Sequence, residues 1–346
     1  MAGLDPAIMQ VFMDELLAGM RAIAETTRLR LLFVLSHGEF NVSELTQILG
    51  QSQPRVSRHL KLMAEAGLLS RYKEGSWVLF RLSEQTRGAA LARAVVDLLP
   101  GSDQVLVSDI ARMEEIRRQR AENALSYFRT NAPNWERLRS LHVSEADVET
   151  AMLDMAGAGD LGNFFDLGTG TGRILALFAG RAAQATGIDQ SREMLIVARA
   201  NLEAAGLRQA QVRQGDIYAL PFPSAAADFV TVHQVLHYLD DPGRALTEAA
   251  RVLKPGGRLL IVDFAPHELE HLRDQHAHRR LGIAPDLMSS WLKRADLRLI
   301  KERTLPPPRS NGAAGLTVSL WLAQRPADDI SRTARGARNR VEGNLA

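Results

Sequence analysis

The sequence predicts two domains of different class: an α+β winged helix-turn-helix, then an α/β domain of Rossmann-like, doubly wound type. Three observations predict this. The chain has 346 residues, long for one domain. Residues 42–82 carry two short helical patterns and then two strand patterns about a turn. From residue 164 onward, apolar strand-like runs alternate with helical ones, and the first run ends in an acid followed by three glycines.

The totals bound the function. At 46% hydrophobic and 24% charged residues the composition is that of a folded protein, which excludes disorder throughout. The net charge is +2, so affinity for nucleic acid must come from a local patch. There is no cysteine, which excludes disulfides, thiolate metal sites and cysteine nucleophiles. The N-terminus has acids and no basic residue before Arg21, unlike a secretory signal. No apolar run approaches the ~20 residues of a membrane span. The expected location is the cytoplasm, with no membrane partner.

The first domain is expected over 1–103. Met9, Phe12, Met13, Leu16 and Leu17, then Ile23, Leu29, Leu32, Phe33 and Leu35, fall at helical spacing and predict two packed helices. Asn41 or Ser43 can cap the next short helix and Gly50 can end it. Ser52 can cap a further helix that begins at Gln53-Pro54. There Val56, Leu60 and Met63 face inward, Arg55 and Arg58 outward, with Ser57, His59 and Lys61 at the edges. Two short helices about a tight turn, the second rich in donors, make a helix-turn-helix. Residues 68–82 read as two strands forming a wing with Arg71 and Lys73. Seven basic residues against three acidic ones between 51 and 87 give this stretch a net charge of +4. Double-stranded DNA is therefore the expected partner: phosphate contacts would supply most affinity, and Gln53, Arg55, Ser57 and Arg58 could reach base edges. The alternative is a packing module with a solvated basic face.

Val42-Ser43-Glu44-Leu45, Ser52-Gln53-Pro54-Arg55-Val56-Ser57-Arg58-His59-Leu60-Lys61 and Ala66-Gly67-Leu68 are similar to the ArsR family of winged-helix bacterial repressors. The resemblance implies a homodimer formed through the first helix and the one around 86–99. Metal-sensing members carry two cysteines just before the helix-turn-helix, where this chain has Asn41 and Ser43. No soft-metal site, and no metal at all, is expected.

Pro100-Gly101-Ser102 marks a boundary. Residues 105–128, polar with Ile110, Met113 and Ile116 on one side, predict a long amphipathic helix, with 104–124 as the linker. The second domain is expected over 125–325. Phe164-Phe165-Asp166-Leu167-Gly168-Thr169-Gly170-Thr171-Gly172-Arg173 reads as a strand, a tight loop and a helix start, where backbone N–H groups face a ligand. Ala185–Asp189 is a second strand ending in an acid, placed to accept ribose hydroxyls. Val212–Ile217, Asp228–His233 and Leu259–Phe264 read as further strands.

These runs, with Arg251-Val252-Leu253-Lys254-Pro255-Gly256-Gly257-Arg258, resemble class I S-adenosylmethionine (SAM)-dependent methyltransferases over about residues 125–325. The resemblance implies Asp166, Gly168, Thr169, Gly170 and Gly172 around the methionine end of SAM, and Asp189 and Gln190 at the ribose. It implies Met194, Asp216 and Ile217 at the adenine. His233, Gln234 and His237 lie where the acceptor would approach, and His233 also borders the cofactor. His233 and His237 are the candidate bases, although His237 reads more readily as a satisfied surface or core histidine. Tyr127, Phe128 and Trp135 either cover the cleft or pack in the core.

His267-Glu268-Leu269-Glu270-His271 spells the H-E-x-x-H of zinc proteases and is expected to open a helix. It belongs to a different fold and reads as coincidence. His271, His276, His278, Arg279 and Arg280 line either the acceptor pocket or a charged helix face. Residues 297–303 and 316–323 are the last strands, joined through Pro306, Pro307, Pro308 and Gly312. The arginine-rich tail, 326–346, reads as disordered or as an auxiliary nucleic-acid arm. Two functions follow: methyl transfer to a small-molecule acceptor by a DNA-binding regulator, or sensing of SAM or its product S-adenosylhomocysteine (SAH) without turnover.

Overall fold

The structure, a computed structural model, describes residues 6–74, 77–83, 86–132, 144–207, 209–307 and 315–327. Trp135, Pro308, Gly312, the wing turn at Gly75-Ser76 and the tail from 328 lie outside these residues. So do the side chains of Met9 and Phe12. The chain divides into two compact units: Met1–Ala124 with Glu268–Gln275, and Leu125–His267 with His276–Ala346.

The first unit contains α1 (Pro6–Ile23), α2 (Thr26–Ser36), α3 (Val42–Leu49), α4 (Gln53–Glu65), α5 (Arg87–Leu98) and most of α6 (Gln104–Asn131). Its sheet is β1 (Phe40–Asn41), β2 (Leu69–Glu74) and β3 (Trp77–Leu82), antiparallel in the order β1-β3-β2. Asn41 starts α3 with a reciprocal capping box, its side chain accepting from the Glu44 N–H while the Glu44 carboxylate accepts from the Asn41 N–H. Gly50, left-handed at φ 65°, ends that helix. Leu31, Leu32, Leu45, Ile48, Val56, Leu60 and Met63 form one core with Phe40 and Met113.

One expectation is corrected in this unit. Ser52 occupies the N-cap of α4, but its side chain makes no capping bond. The long amphipathic helix expected from Val105 to Phe128 is α6, which runs unbroken to Asn131 because no proline or glycine interrupts it, and the two units divide within it after Ala124. It is held to the core by a buried charge cluster. The Asp109 carboxylate is fully buried and accepts from Arg30 Nε at 2.6 Å and Arg30 Nη2 at 2.7 Å. Arg30 also donates to the Leu49 carbonyl at 2.8 Å, and Arg112 bridges Asp109 and the Ile48 carbonyl. Arg120 pairs with Glu44. α6 therefore grips the end of α3, the first helix of the helix-turn-helix.

The second unit is a seven-stranded sheet in the order β6-β5-β4-β7-β8-β10-β9. Its strands are β4 (Asn163–Leu167), β5 (Gln184–Asp189), β6 (Ala210–Gln214), β7 (Ala227–His233), β8 (Leu253–Phe264), β9 (Arg298–Leu305) and β10 (Val318–Gln324). β6 to β8 are parallel, and β10 is antiparallel to both β8 and β9. The helices are α7 (Glu145–Ala156), α8 (Arg173–Ala179), α9 (Arg192–Ala204), α10 (Pro242–Val252), α11 (His271–His276) and α12 (Pro285–Arg294), of which α11 lies almost wholly in the first unit. One sheet face packs Val230, Val232, Leu259 and Ile261 against α10 and α12, through Leu246, Ala249, Met288 and Trp291. The strand order reverses on either side of β4, so the crevice at the carboxyl ends of β4 and β7 is the ligand position of a doubly wound sheet. No helix among the described residues is long and apolar enough to cross a membrane.

Candidate functional site

The carboxyl edge of the sheet collects the glycine loop after β4, Asp189 ending β5, the turn after β7, and Asp263 near the end of β8. The loop is tied to its neighbours: the Gly168 and Thr169 N–H groups both donate to the Ile188 carbonyl, at 2.7 and 3.0 Å. Gly168 has φ 72°, and a Cβ there would meet Val235 Cγ2 at 2.4 Å, so only glycine fits. Gly172 has φ 81°, with Ala198 3.2 Å from where a Cβ would stand. Asp166 is buried, and its carboxylate accepts from the Thr169 hydroxyl at 2.7 Å and the Thr231 hydroxyl at 2.6 Å. It shapes the loop through these hydroxyls.

The Asp189 carboxylate accepts from the Gly170 N–H at 2.9 Å and the Ser191 N–H at 2.8 Å. The residue as a whole is partly exposed, and burial of its carboxyl group raises its pKa against the lowering effect of the neighbouring N–H groups. Each oxygen keeps a lone pair for a further donor, which suits a vicinal diol. Gln190 is exposed, and its carbonyl accepts from the Gln214 side chain. Asp216 is exposed and caps its own turn by accepting from the Tyr218 N–H at 2.9 Å, while Ile217 packs against the core. Met194 departs from its expected place. It lies on the inner face of α9 with Leu195, Ala198 and Leu202 and is 2% exposed, so the protein already covers it.

On α4, Gln53, Arg55, Ser57, Arg58 and Lys61 are exposed, as are Arg71 and Lys73 on β2. His59 turns inward instead. It is half-buried with Nδ1 3.8 Å from Glu25, and burial lowers its pKa against the opposing pull of that carboxylate.

Comparison with known proteins divides the chain along the same lines. Residues 25–71 match the family described as bacterial regulatory protein, arsR family, and residues 165–261 match a methyltransferase domain. The chain joins an ArsR-family helix-turn-helix to a methyltransferase domain. Its methyltransferase domain is 35% identical over 104 residues to the uncharacterized methyltransferase YcgJ of Bacillus subtilis, covering 30% of this chain and 41% of that protein. It is 36% identical over 143 residues to the demethylmenaquinone methyltransferase of Thermus thermophilus, covering 40% and 64%. The chain thus spans less than two thirds of the length of either relative. The solved structure of YcgJ is similar with a TM-score of 0.46 and 21% identity, covering 53% of this chain and 99% of that one.

Beside the loop of the methyltransferase domain, His233 is buried at the end of β7, and Gln234 follows with φ 53°. A short 3-10 turn, Leu236–Tyr238, then buries His237. His237 Nδ1 lies 2.7 Å from Asp263 Oδ1, a partner that the sequence reading missed. The available signal was an acid near the end of an otherwise apolar strand, Leu259-Leu260-Ile261-Val262-Asp263. Thr231 was missed too, since a threonine inside a strand carries no local mark of function.

The proposed histidine-arginine cluster divides. His278 is buried with its ring 4.3 Å from that of His237, and His276 Nδ1 is 2.8 Å from the Tyr127 hydroxyl. Arg279 pairs with Asp240, Arg280 is buried over the Trp291 ring, and His271 is exposed. The helix expected to hold H-E-x-x-H begins only at His271, so its two histidines do not share a helical face.

Proposed function

We propose that the chain is a DNA-binding regulator of ArsR type whose C-terminal half binds SAM and transfers its methyl group to a small-molecule acceptor. The observation that carries this is the cradle at the ends of β4 and β5: three glycines with positive φ, 72°, 53° and 81°, facing the Asp189 carboxylate. This donor set fits the cofactor. Gly168, Thr169, Gly170 and Gly172 would hold its amino-acid end, and Asp189 its ribose hydroxyls. When bound, SAM supplies an electrophilic methyl on a sulfonium sulfur. The protein's part is alignment and exclusion of water. The similarity to a demethylmenaquinone methyltransferase and, at 39% identity over 103 residues, to a phosphatidylethanolamine N-methyltransferase of Cereibacter sphaeroides supports a methyl-transfer role. Calorimetry tests it: the purified chain should bind SAH, and no uptake at millimolar supply would end the reading.

On the DNA side, the exposed face of α4 and the β2-β3 wing support operator binding. α1 leaves Met13, Leu16, Leu17 and Met20 exposed at i, i+3, i+4 and i+7 spacing, a stripe suited to a homodimer contact. A second reading, SAM or SAH sensing without turnover, is favoured by one observation. α6 supplies Asp109 and Arg120 to the first unit and Tyr127 and Phe128 to the second. A labelled-methyl screen without product, alongside tight SAH binding, would leave this reading in place of the enzyme.

A further inference from the structure

We propose that His237, oriented by Asp263, takes the proton from a planar acceptor bearing a weakly acidic hydroxyl, a phenol or an enol. The proposal rests on the methyl-transfer reading above and names the acceptor's chemistry. His237 is 1% exposed and Asp263 fully buried. Asp263 Oδ1 takes the His237 Nδ1 contact at 2.7 Å and the Phe264 N–H at 2.8 Å, and Oδ2 accepts from the His237 N–H at 3.3 Å. A carboxylate only accepts, so the hydrogen of this contact sits on Nδ1, and in the proposed base form Nε2 presents a lone pair. That Nε2 is buried and has no hydrogen-bond partner among the described residues.

A buried polar atom left without a partner is costly and calls for an explanation. Here the missing partner is a donor, which a hydroxyl supplies. Gln234 adds a second such atom, for it is 7% exposed and its amide Nε2 is buried without a partner among the described residues. Both atoms belong to the turn after β7, and a ligand that meets both would bring a hydroxyl to His237 and a second oxygen to Gln234.

Aromatic rings pack about His237: Tyr238, His278 and Phe264 have ring centroids 4.0, 4.3 and 4.9 Å away, and Phe128 lies edge-on to Tyr238 at 4.8 Å. A planar ligand is the kind that can join such a set of rings. Burial raises Tyr238 far above the ordinary tyrosine range and raises Tyr127 as well, so both hydroxyls stay protonated and neither serves as base. Arg279 and Arg280 reach His237 through backbone N–H groups, each 3.0 Å from its carbonyl, while their guanidinium groups lie on Asp240 and over Trp291. In the step, the acceptor's O–H bond breaks with its pair left on oxygen, and the proton forms the N–H bond at Nε2. Asp263 stabilises the imidazolium so formed.

The test uses the full chain saturated with SAH and para-nitrophenol as probe, at a pH below the probe's own pKa. The bound probe should show its yellow phenolate band in the wild type. H237Q should keep its SAH affinity and lose the band. In D263N the band should appear only at a pH about one unit or more higher, a shift that a merely structural role would not produce. A probe that stays neutral or does not bind in the SAH-loaded wild type overturns the proposal, and so does a band that survives in H237Q. Because the wild-type spectrum alone can overturn it, a misfolded variant leaves the test intact. Failure of the wild type to bind SAH would instead remove the methyl-transfer reading beneath.

Discussion

At the scale of single residues, two neighbouring positions on one helix can carry opposite expectations. Arg58 is exposed on α4, whereas His59 is half-buried beside Glu25 with its pKa lowered by burial. At neutral pH His59 is therefore uncharged and would release no counterion on binding DNA, whereas Arg58 would. R58A should weaken DNA binding by about 1–3 kcal/mol if it reads a base and should flatten the salt dependence. H59A should leave that slope unchanged. Fluorescence anisotropy across a salt series separates them. Asp189 gives a second case. Its folded-state pKa lies above the ordinary 3.8, and a ribose diol donates to the carboxylate, not to the neutral acid. SAH affinity should therefore be full above that raised pKa and fall as the pH drops through it. D189N should bind about tenfold or more weakly with no such slope, as calorimetry at several pH values would show.

At the scale of elements, the Asp109 cluster is the contact most exposed to a single change. Asp109 is fully buried between Arg30 and Arg112, and the Arg30 side chain is itself 13% exposed. The Arg30 pKa is raised chiefly by its hydrogen bond to Asp109. Removing one partner of such a pair strands the other charge and costs about 3 kcal/mol. D109A should thus lower amide hydrogen-exchange protection across α2, α3 and α4 by about 100-fold. None of this was legible beforehand, because Asp109 sits in a helix whose charges look solvent-facing and its partner lies 79 residues away. The elements themselves were legible wherever periodicity ran long enough. Helix α4 and strands β4, β5 and β7 stand where their apolar runs predicted, whereas β8 begins at Leu253, six residues before the apolar run at Leu259, and takes in the Pro255-Gly256-Gly257 stretch. β1, two residues long, carries no period to read. The glycine loop was legible because its φ values demand glycine. Asp263 was not, because its role depends on a histidine 26 positions earlier that only the turn after β7 brings within reach.

At the scale of the whole molecule, α6 connects the two chemistries. Its first part is locked by Asp109 and Arg120 to the helix-turn-helix, and its last turns place Tyr127 against His276 and Phe128 against Tyr238, next to His237. The sensing reading requires SAH to alter operator affinity, and linkage then requires DNA to alter SAH affinity by the same factor. A coupling of 1–3 kcal/mol, or about 5–150-fold, is the usual size. Asn123 is exposed in α6, just before the boundary between the units at Ala124, and proline there removes a helical hydrogen bond and bends the helix. In N123P each ligand should bind with the affinity it shows alone in the wild type, while the effect of one on the other disappears. Anisotropy of labelled operator with and without saturating SAH measures both. An equal operator affinity in the two conditions for the wild type would separate the functions, leaving a methyltransferase and a DNA-binding module that share a chain without communicating.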